Sequence, residues 1–279
     1  MAATINTNAI ALNAQRNLSS SQSMLATSVQ RLSSGLRVNS AKDDAAGLAI
    51  SERMSSQVRG FNVAIRNAND AISMAQTAEG SMQSVSDNLQ RMRELAVQAM
   101  NGSVTSGATG DAANLDTEYQ QLKAEMGRVL SGSKFNGIDT LNVTADSVFQ
   151  VGAGTASEDR ITVTSASVTL ASAITAVTGA LTGGSAAVSA EIAAIDASLD
   201  TVNTARANWG AIQNRFQSVV QNLQVSSENI ASARGRIVDA DFAQETANMT
   251  RGQILQQAGT AMLAQANSMP NNVLTLLRG

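Results

Sequence analysis

The chain of 279 residues contains no cysteine and no histidine, and only one proline, one tryptophan, one tyrosine and five phenylalanines. Without cysteine there is no thiol nucleophile, disulfide, iron–sulfur cluster or thiolate zinc site. Without histidine there is no Ser-His-Asp triad, imidazole base or HExxH metalloprotease centre. Carboxylate and lysine chemistry would survive, but no motif for it stands out. No catalytic residue, cofactor site or metal site is expected. The net charge of −3 argues against nucleic-acid binding. No uninterrupted apolar run reaches the roughly 18–20 residues of a membrane span. The best stretch, Ala171 to Val188, is broken by Thr, Ser and Gly.

Acidic residues are also missing from the start. Arg16, Arg31, Arg37 and Lys42 precede the first acid, Asp43. That composition is like an organellar transit peptide, but the segment runs in helical period into the next, which favours an interaction helix. Met1 to Ser20 holds no continuous apolar run. Any passage out of the cell is therefore expected to proceed without a cleaved Sec-type signal.

What is present is aliphatic. Hydrophobic residues make up 43% of the chain and aromatics 3%, the composition of long helices packed through small side chains. Leu18, Leu25 and Leu32 are spaced by seven, with Val29 and Leu36 on a parallel track. Met54, Val58, Phe61, Ile65, Ala68, Ile72 and Ala75 follow in alternating steps of four and three. Met82, Val85, Leu89, Met92, Ala96 and Ala99 repeat the rule after a phase slip. In the second half Val188, Ile192, Ile195, Leu199, Val202, Ala205, Trp209, Ile212, Phe216, Val219, Leu223, Ser226 and Ile230 keep gaps of three or four throughout. Such a seam needs a partner helix, and Val188 to Ile230 as one helix would span roughly 65 Å.

The middle differs. Asn101 to Gly110 is a Ser/Thr/Gly turn region, and a short helix is expected from about Leu115 to Leu130. Asn136-Gly137 is a hairpin turn signal. Thr140 to Thr144, Val148 to Val151 and Arg160 to Thr164 are β-branched and predict strands. Ser165 to Ser185 lacks a period and is expected to be a short cap or loop. Near the end Ile237, Phe242, Ile254, Leu255, Met262 and Leu263 mark an apolar face. Pro270 should stop that helix, leaving Val273, Leu274, Leu276 and Leu277 as a tail. The apolar stripes at both termini exceed what one helix pair can bury, so self-assembly is expected. The fold class is mainly α: a long antiparallel coiled-coil rod with paired N- and C-terminal helices and a small β-hairpin region.

Specific segments then resemble a known family. Leu32-Ser-Ser-Gly-Leu-Arg-Val-Asn-Ser-Ala-Lys-Asp-Asp-Ala-Ala-Gly-Leu-Ala-Ile-Ser51 resembles the N-terminal signature of bacterial flagellin. Arg236-Ile-Val-Asp-Ala-Asp-Phe-Ala-Gln-Glu-Thr-Ala247, Gln253 to Asn267 and the closing Val273 to Arg278 resemble its C-terminal part. The likeness covers about residues 1–165 and 188–279. It implies a terminal coiled coil, D0, from 1–43 with 236–279, and a helical layer, D1, over 44–235. D1 would hold a hairpin region at about 135–165 and only a short loop, about 165–188, where outer domains are inserted in longer relatives. The implied function is a structural subunit that polymerises into the flagellar filament for motility, exported by a type III apparatus and located outside the cell. The alternative is a hook–filament junction protein. An enzymatic member would need an inserted domain and zinc-binding histidines, both missing here.

The resemblance also implies partners and sites. Partners are the chain itself, an export chaperone, cap and junction proteins, Toll-like receptor 5, and inflammasome sensors of the NAIP type. Nucleic acid and membrane insertion are not implied. Residues implied for filament-core assembly are Leu18, Leu25, Leu32, Leu36, Ile254, Leu255, Met262 and Leu263. Gln90, Arg91, Arg93, Glu94, Leu95 and Gln98, with Glu118 on the next helix, resemble the receptor-recognised segment. Leu95 is its expected apolar anchor, and Met92 stands where Val is common. Leu274, Leu276 and Leu277 match the inflammasome-sensed tail. The hairpin at Asn136-Gly137 and Asp139 is the candidate for switching between two protofilament states. Weaker signals are discarded: Gly152-Ala-Gly154 lacks the third glycine of a nucleotide loop, and Asp239-Ala-Asp241 lacks the glycine and glutamate of a calcium loop. The sequons at Asn17, Asn101, Asn142 and Asn248 are of a kind common by chance, and O-glycosylation of the Ser/Thr-rich 102–110 or 165–185 stretch is something the resemblance allows rather than a motif.

Overall fold

The computed structural model describes residues 8–105, 107, 109–165, 170 and 177–278, with side chains to residue 268. Among the described residues the long helices are α1 (Ala9–Ser34), α2 (Ala45–Ala99), α3 (Asp111–Gly132), α4 (Ser185–Val238) and α5 (Phe242–Arg278). Four short strands lie between α3 and α4: β1 (Lys134–Phe135), β2 (Ile138–Asp139), β3 (Ser147–Gln150) and β4 (Arg160–Val163). Contacts divide the chain into two compact units, residues 1–56 with 229–279, and residues 57–228. The divisions fall inside α2 and α4 rather than in loops.

In the terminal unit α1 and α5 pair antiparallel. Each helix of this unit starts on a polar cap, which satisfies otherwise orphaned first-turn N–H groups. Asn8 Oδ1 accepts from Ala11 N at 3.1 Å. Asp44 Oδ1 accepts from Gly47 N at 2.8 Å, and Asp241 Oδ1 from Ala243 N at 2.9 Å. Helix α1 ends at Gly35, whose φ of 71° is the left-handed conformation glycine adopts without strain. The chain then pairs with the α4–α5 linker. Leu36 bridges Asp239, Arg37 N donates to Val238 O, and Ala240 N to Gly35 O.

In the second unit α2, α3 and α4 bury Met82, Leu89, Met92, Tyr119, Met126, Ile195, Trp209 and Phe216 in one core. The seam expected from spacing is the buried side of α2 and α4 in this unit: Ala68, Ala75, Val85, Ala96, Val188, Val202 and Ala205 all face in. Asn136 (φ 50°) and Gly137 (φ 82°) form the turn that joins β1 to β2, as expected for a hairpin whose two central residues both need positive φ. Strands β3 and β4 pair antiparallel from Ser147↔Val163 to Gln150↔Arg160.

Three expectations are corrected. Thr140 to Thr144 is not a strand. The Thr140 N–H and hydroxyl both bond the Ser133 carbonyl, and the Leu141 carbonyl accepts from Leu170 N, contacts that form no strand ladder among the described residues. The helix placed at 115–130 is longer, 111–132. Pro270 does not stop its helix: α5 runs on to Arg278. Of the loop expected at 165–185, residues 177–184 are coil and turn, Ser165 is helical and Ser185 already begins α4, while Leu170, Val177 and Leu181 are buried; its remainder lies outside the described residues.

Candidate functional site

Two surfaces carry the residues singled out by sequence. The first belongs to the terminal unit. Along the α1/α5 seam the most buried positions are small or polar: Ser21, Ser28, Gly252, Glu245 and Ala266. Leu18 and Leu25 lie against Gly259 and Gly252. A Cβ at Gly259 would stand 3.2 Å from a Leu18 methyl, and one at Gly252 3.3 Å from Leu25 Cβ. A glycine there lets a leucine seat close to the opposing backbone.

Apart from the half-buried seam leucines, many large aliphatics are on the outside. Ile254 is 60% exposed and Met262 61%, and Ile10, Leu12, Met24, Val29, Phe242 and Leu255 are also exposed. A groove of about 720 Å³ runs among Ile10, Leu18, Met24, Leu255 and Met262. The expected assembly residues therefore separate. Leu18, Leu25, Leu32 and Leu263 are half-buried, Leu36 lies in the linker bridge, and Ile254, Leu255 and Met262 face outward. Ile10, Leu12, Met24 and Val29 were not among them. The signal was available: on α1 they fall off the every-seventh stripe of Leu18, Leu25 and Leu32.

At the lower end of the seam Arg31 Nη1 donates to Glu245 Oε1 at 3.0 Å, with the Glu245 side chain only 8% exposed. Burial pushes the Glu245 carboxyl up. Hydrogen bonds from Arg31, Ser28 and Asn248, and the Arg31 charge, outweigh it and hold the group below its ordinary value.

The second surface is the outward face of α2 in the bundle. Arg91 Nε donates to Glu118 Oε1 on α3 at 2.8 Å, and its Nη1 to Glu94 Oε2 at 3.0 Å. Arg93 Nε donates to Asp196 Oδ1 on α4 at 2.7 Å. The two arginines thus link α2 to both neighbours through exposed pairs that solvent screens strongly. Gln90, Arg93, Glu94, Val97 and Gln98 line a shallow depression. Leu95 is not on this face. It is 1% exposed and packs in the core, whereas Val97 is 51% exposed. The expected anchor is thus corrected: Leu95 follows the seam of Met92 and Ala96 and turns inward.

Sequence reading missed one buried polar cluster. Glu191 Oε1 accepts from the Tyr119 hydroxyl at 2.6 Å and its Oε2 from Gly179 N at 3.0 Å. Asp116 Oδ1 accepts from Leu181 N at 2.8 Å. Burial foremost, and then Glu191, push the Tyr119 hydroxyl's pKa up. The two carboxylates hold the 177–181 segment on the bundle. The available signal was an acid, Glu191, inside the apolar stripe of Val188, Ile192 and Ile195. The Leu274, Leu276 and Leu277 side chains lie outside the described residues. Among the described residues no group of three acidic side chains could hold a metal ion, and no helix is long and apolar enough to cross a membrane.

Comparison with known proteins agrees with this architecture. Residues 5–146 match the family model "Bacterial flagellin N-terminal helical region", and residues 192–277 match "Bacterial flagellin C-terminal helical region". The chain is 45% identical over 274 residues to a flagellin of Halalkalibacterium halodurans, covering 98% of this chain and 99% of the other. It is 39% identical over 287 residues to the flagellar filament 33 kDa core protein of Treponema phagedenis, with the same coverages. The crystal structure of Bacillus cereus flagellin aligns with a TM-score of 0.50 at 33% identity, over 61% of this chain and 94% of that one. With both terminal regions matched and relatives aligned along nearly its full length, the chain belongs to the bacterial flagellin family, whose members are structural filament proteins rather than enzymes.

Proposed function

We propose that this chain is the repeating subunit of a flagellar filament, secreted and assembled outside the cell. It polymerises through the outward apolar face of the α1/α5 pair. The observation that carries the reading is the inversion of that pair: Ser21, Ser28 and Gly252 are buried while Ile254, Leu255 and Met262 are exposed. A helix pair with its large aliphatics outside leaves an apolar surface in water unless other copies cover it. The α1/α5 pair takes the part of the D0 layer and the bundle that of D1. Type III export, with chaperone, cap and junction partners, is the route a filament subunit of this family requires. The test is seeded assembly: heat to monomers, cool with filament seeds, and examine by electron microscopy. Long filaments are expected; short caps or no polymer would favour the junction-protein alternative.

The exposed face of α2 supports a second reading, recognition of the monomer by Toll-like receptor 5 through Gln90, Arg91, Arg93, Glu94, Gln98 and Glu118. Arg91 offers charge-assisted hydrogen bonds and Val97 an exposed apolar contact. Arg91→Ala with Val97→Ala should abolish signalling by soluble monomer in receptor-expressing cells; unchanged signalling rejects the reading. The tail leucines Leu274, Leu276 and Leu277 are proposed as the part sensed by NAIP-type receptors. The β1/β2 turn is proposed as the protofilament switch. Gly137 has a φ of 82°, so Gly137→Ala strains the turn and should alter filament waveform.

A further inference from the structure

Pro270 lies inside α5, and proline supplies no N–H to the carbonyl one turn back. That carbonyl belongs to Ala266, which is 3% exposed, so water is a poor substitute donor. Its oxygen instead accepts from Asn8 Nδ2 at 2.8 Å, across the α1/α5 pair. The same side chain turns its Oδ1 to Ala11 N at 3.1 Å and caps α1. One amide therefore closes the start of one helix with its acceptor and the gap in the other with its donor. Asparagine carries both groups on a short stem; serine and aspartate can cap, but an ionised aspartate has no donor.

The register of the pair needs such a contact. Leu18 sits on Gly259 and Leu25 on Gly252, and both sets are seven residues apart. A repeat of this kind is degenerate. Sliding α5 by one heptad would set Leu18 on Ala266, Leu25 on Gly259 and Leu32 on Gly252, again each leucine on a small residue. Leucine-on-glycine packing thus permits two registers. The contacts that distinguish them are polar and lie at the two ends. Arg31–Glu245 and the Leu36–Asp239 bridge mark one end, and Asn8–Ala266 marks the other. A few polar groups in a helix seam commonly fix register in this way.

We propose that Asn8 is a register clasp for the carbonyl that Pro270 leaves without its helical donor, so that a proline in α5 and an asparagine before α1 act as one device.

The absence of native cysteine allows a direct test on the full-length chain, in assembled polymer. A Cβ at Gly259 would lie 3.7 Å from Leu18 Cβ, within the range of a disulfide. Leu18→Cys with Gly259→Cys reports the native register, and Leu25→Cys with Gly259→Cys the slipped one. Intramolecular closure is separated from dimers by gel mobility, and the disulfide is equilibrated with glutathione. Asn8→Ser keeps a capping oxygen but lacks the amide donor. It should lower the equilibrium constant of the native-register disulfide about tenfold, the usual scale for leaving a buried carbonyl unpaired, and raise the slipped one. With Pro270→Ala, the new N–H takes the Ala266 carbonyl, so Asn8→Ser should change the native disulfide less than about twofold. An equal fall in both backgrounds would reduce Asn8 to a cap and overturn the proposal. So would no fall in either, or failure of the native-register pair to close in the chain with Asn8 intact.

Discussion

In the bundle of α2, α3 and α4 the largest side chains are the most buried: Trp209, Tyr119, Phe216, Met82 and Leu89 are enclosed. In the α1/α5 pair the order is reversed, with Ser21, Ser28, Gly252 and Ala266 inside and Phe242, Ile254 and Met262 outside. Both regions obey a similar three–four spacing on their inward faces. They differ in what the spacing holds. The bundle has three helices and a clasped loop to enclose its large groups, and it closes its own core. The pair has one neighbour per helix, so each helix buries one stripe and exposes another. A chain that spends glycine and serine on its inner seam and isoleucine and methionine on its outer face is completed by further copies of itself.

The contrast predicts where damage is greatest. Trp209→Ala removes a fully enclosed side chain and should cost the bundle about 3–5 kcal/mol. At about 2–4 °C per kcal/mol for a unit of this size, its melting point falls by roughly 10 °C. Leu95→Ala should cost about 2–5 kcal/mol, whereas Val97→Ala two residues on should change the melt by less than about 0.5 kcal/mol. Equal effects at 95 and 97 would mean that α2 is rotated from the position described.

A smaller effect separates the two seam glycines. Alanine is favoured over glycine in a helix by about 1 kcal/mol. At Gly259 the new methyl meets the flexible end of Leu18, so Gly259→Ala should stabilise the pair. At Gly252 it meets Leu25 Cβ and Cα, which cannot swing away, so Gly252→Ala should gain nothing or lose. Hydrogen exchange along α1 reads both. Gly80→Ala in α2 meets no atom within 4 Å and serves as the control in the bundle.

The smallest effect depends on pH. The Glu245 carboxyl lies below its ordinary value of 4.5 in the folded chain. Its contribution is therefore complete above about pH 4.5 and is lost as pH falls through the lower folded value. Acid should loosen the α1/α5 pair, and Glu245→Gln should remove that part of the acid response while weakening the pair at neutral pH. An unchanged acid profile in the variant would separate the pair's stability from this carboxylate.

Much of this contrast was legible beforehand. The seam of α2 and α4 follows from spacing because each position has one geometric solution on a helix, and Asn136-Gly137 names its turn because few residues tolerate two positive φ angles. What was hidden depended on distant partners. Leu95 belongs to a receptor-like segment by resemblance, but its phase relative to Met92 sends it inward. Pro270 reads as a stop locally, yet a side chain more than 250 residues away supplies the missing donor. Thr140 to Thr144 has strand composition, but Thr140 and Leu141 bond Ser133 and Leu170 instead of a ladder. Glu191 is an acid in an apolar stripe, and only the fold shows Tyr119 and Gly179 waiting for it.

The central claim is that the terminal pair is turned outward for polymerisation while the bundle is self-sufficient. The variant Ile254→Asp with Met262→Asp tests it most directly, by sedimentation of seeded filaments alongside the melting of the bundle. Both residues are already exposed, so the bundle should melt as in the parent chain while sedimentable polymer disappears. Polymer at the parental critical concentration, with both aspartates in place, would contradict the claim.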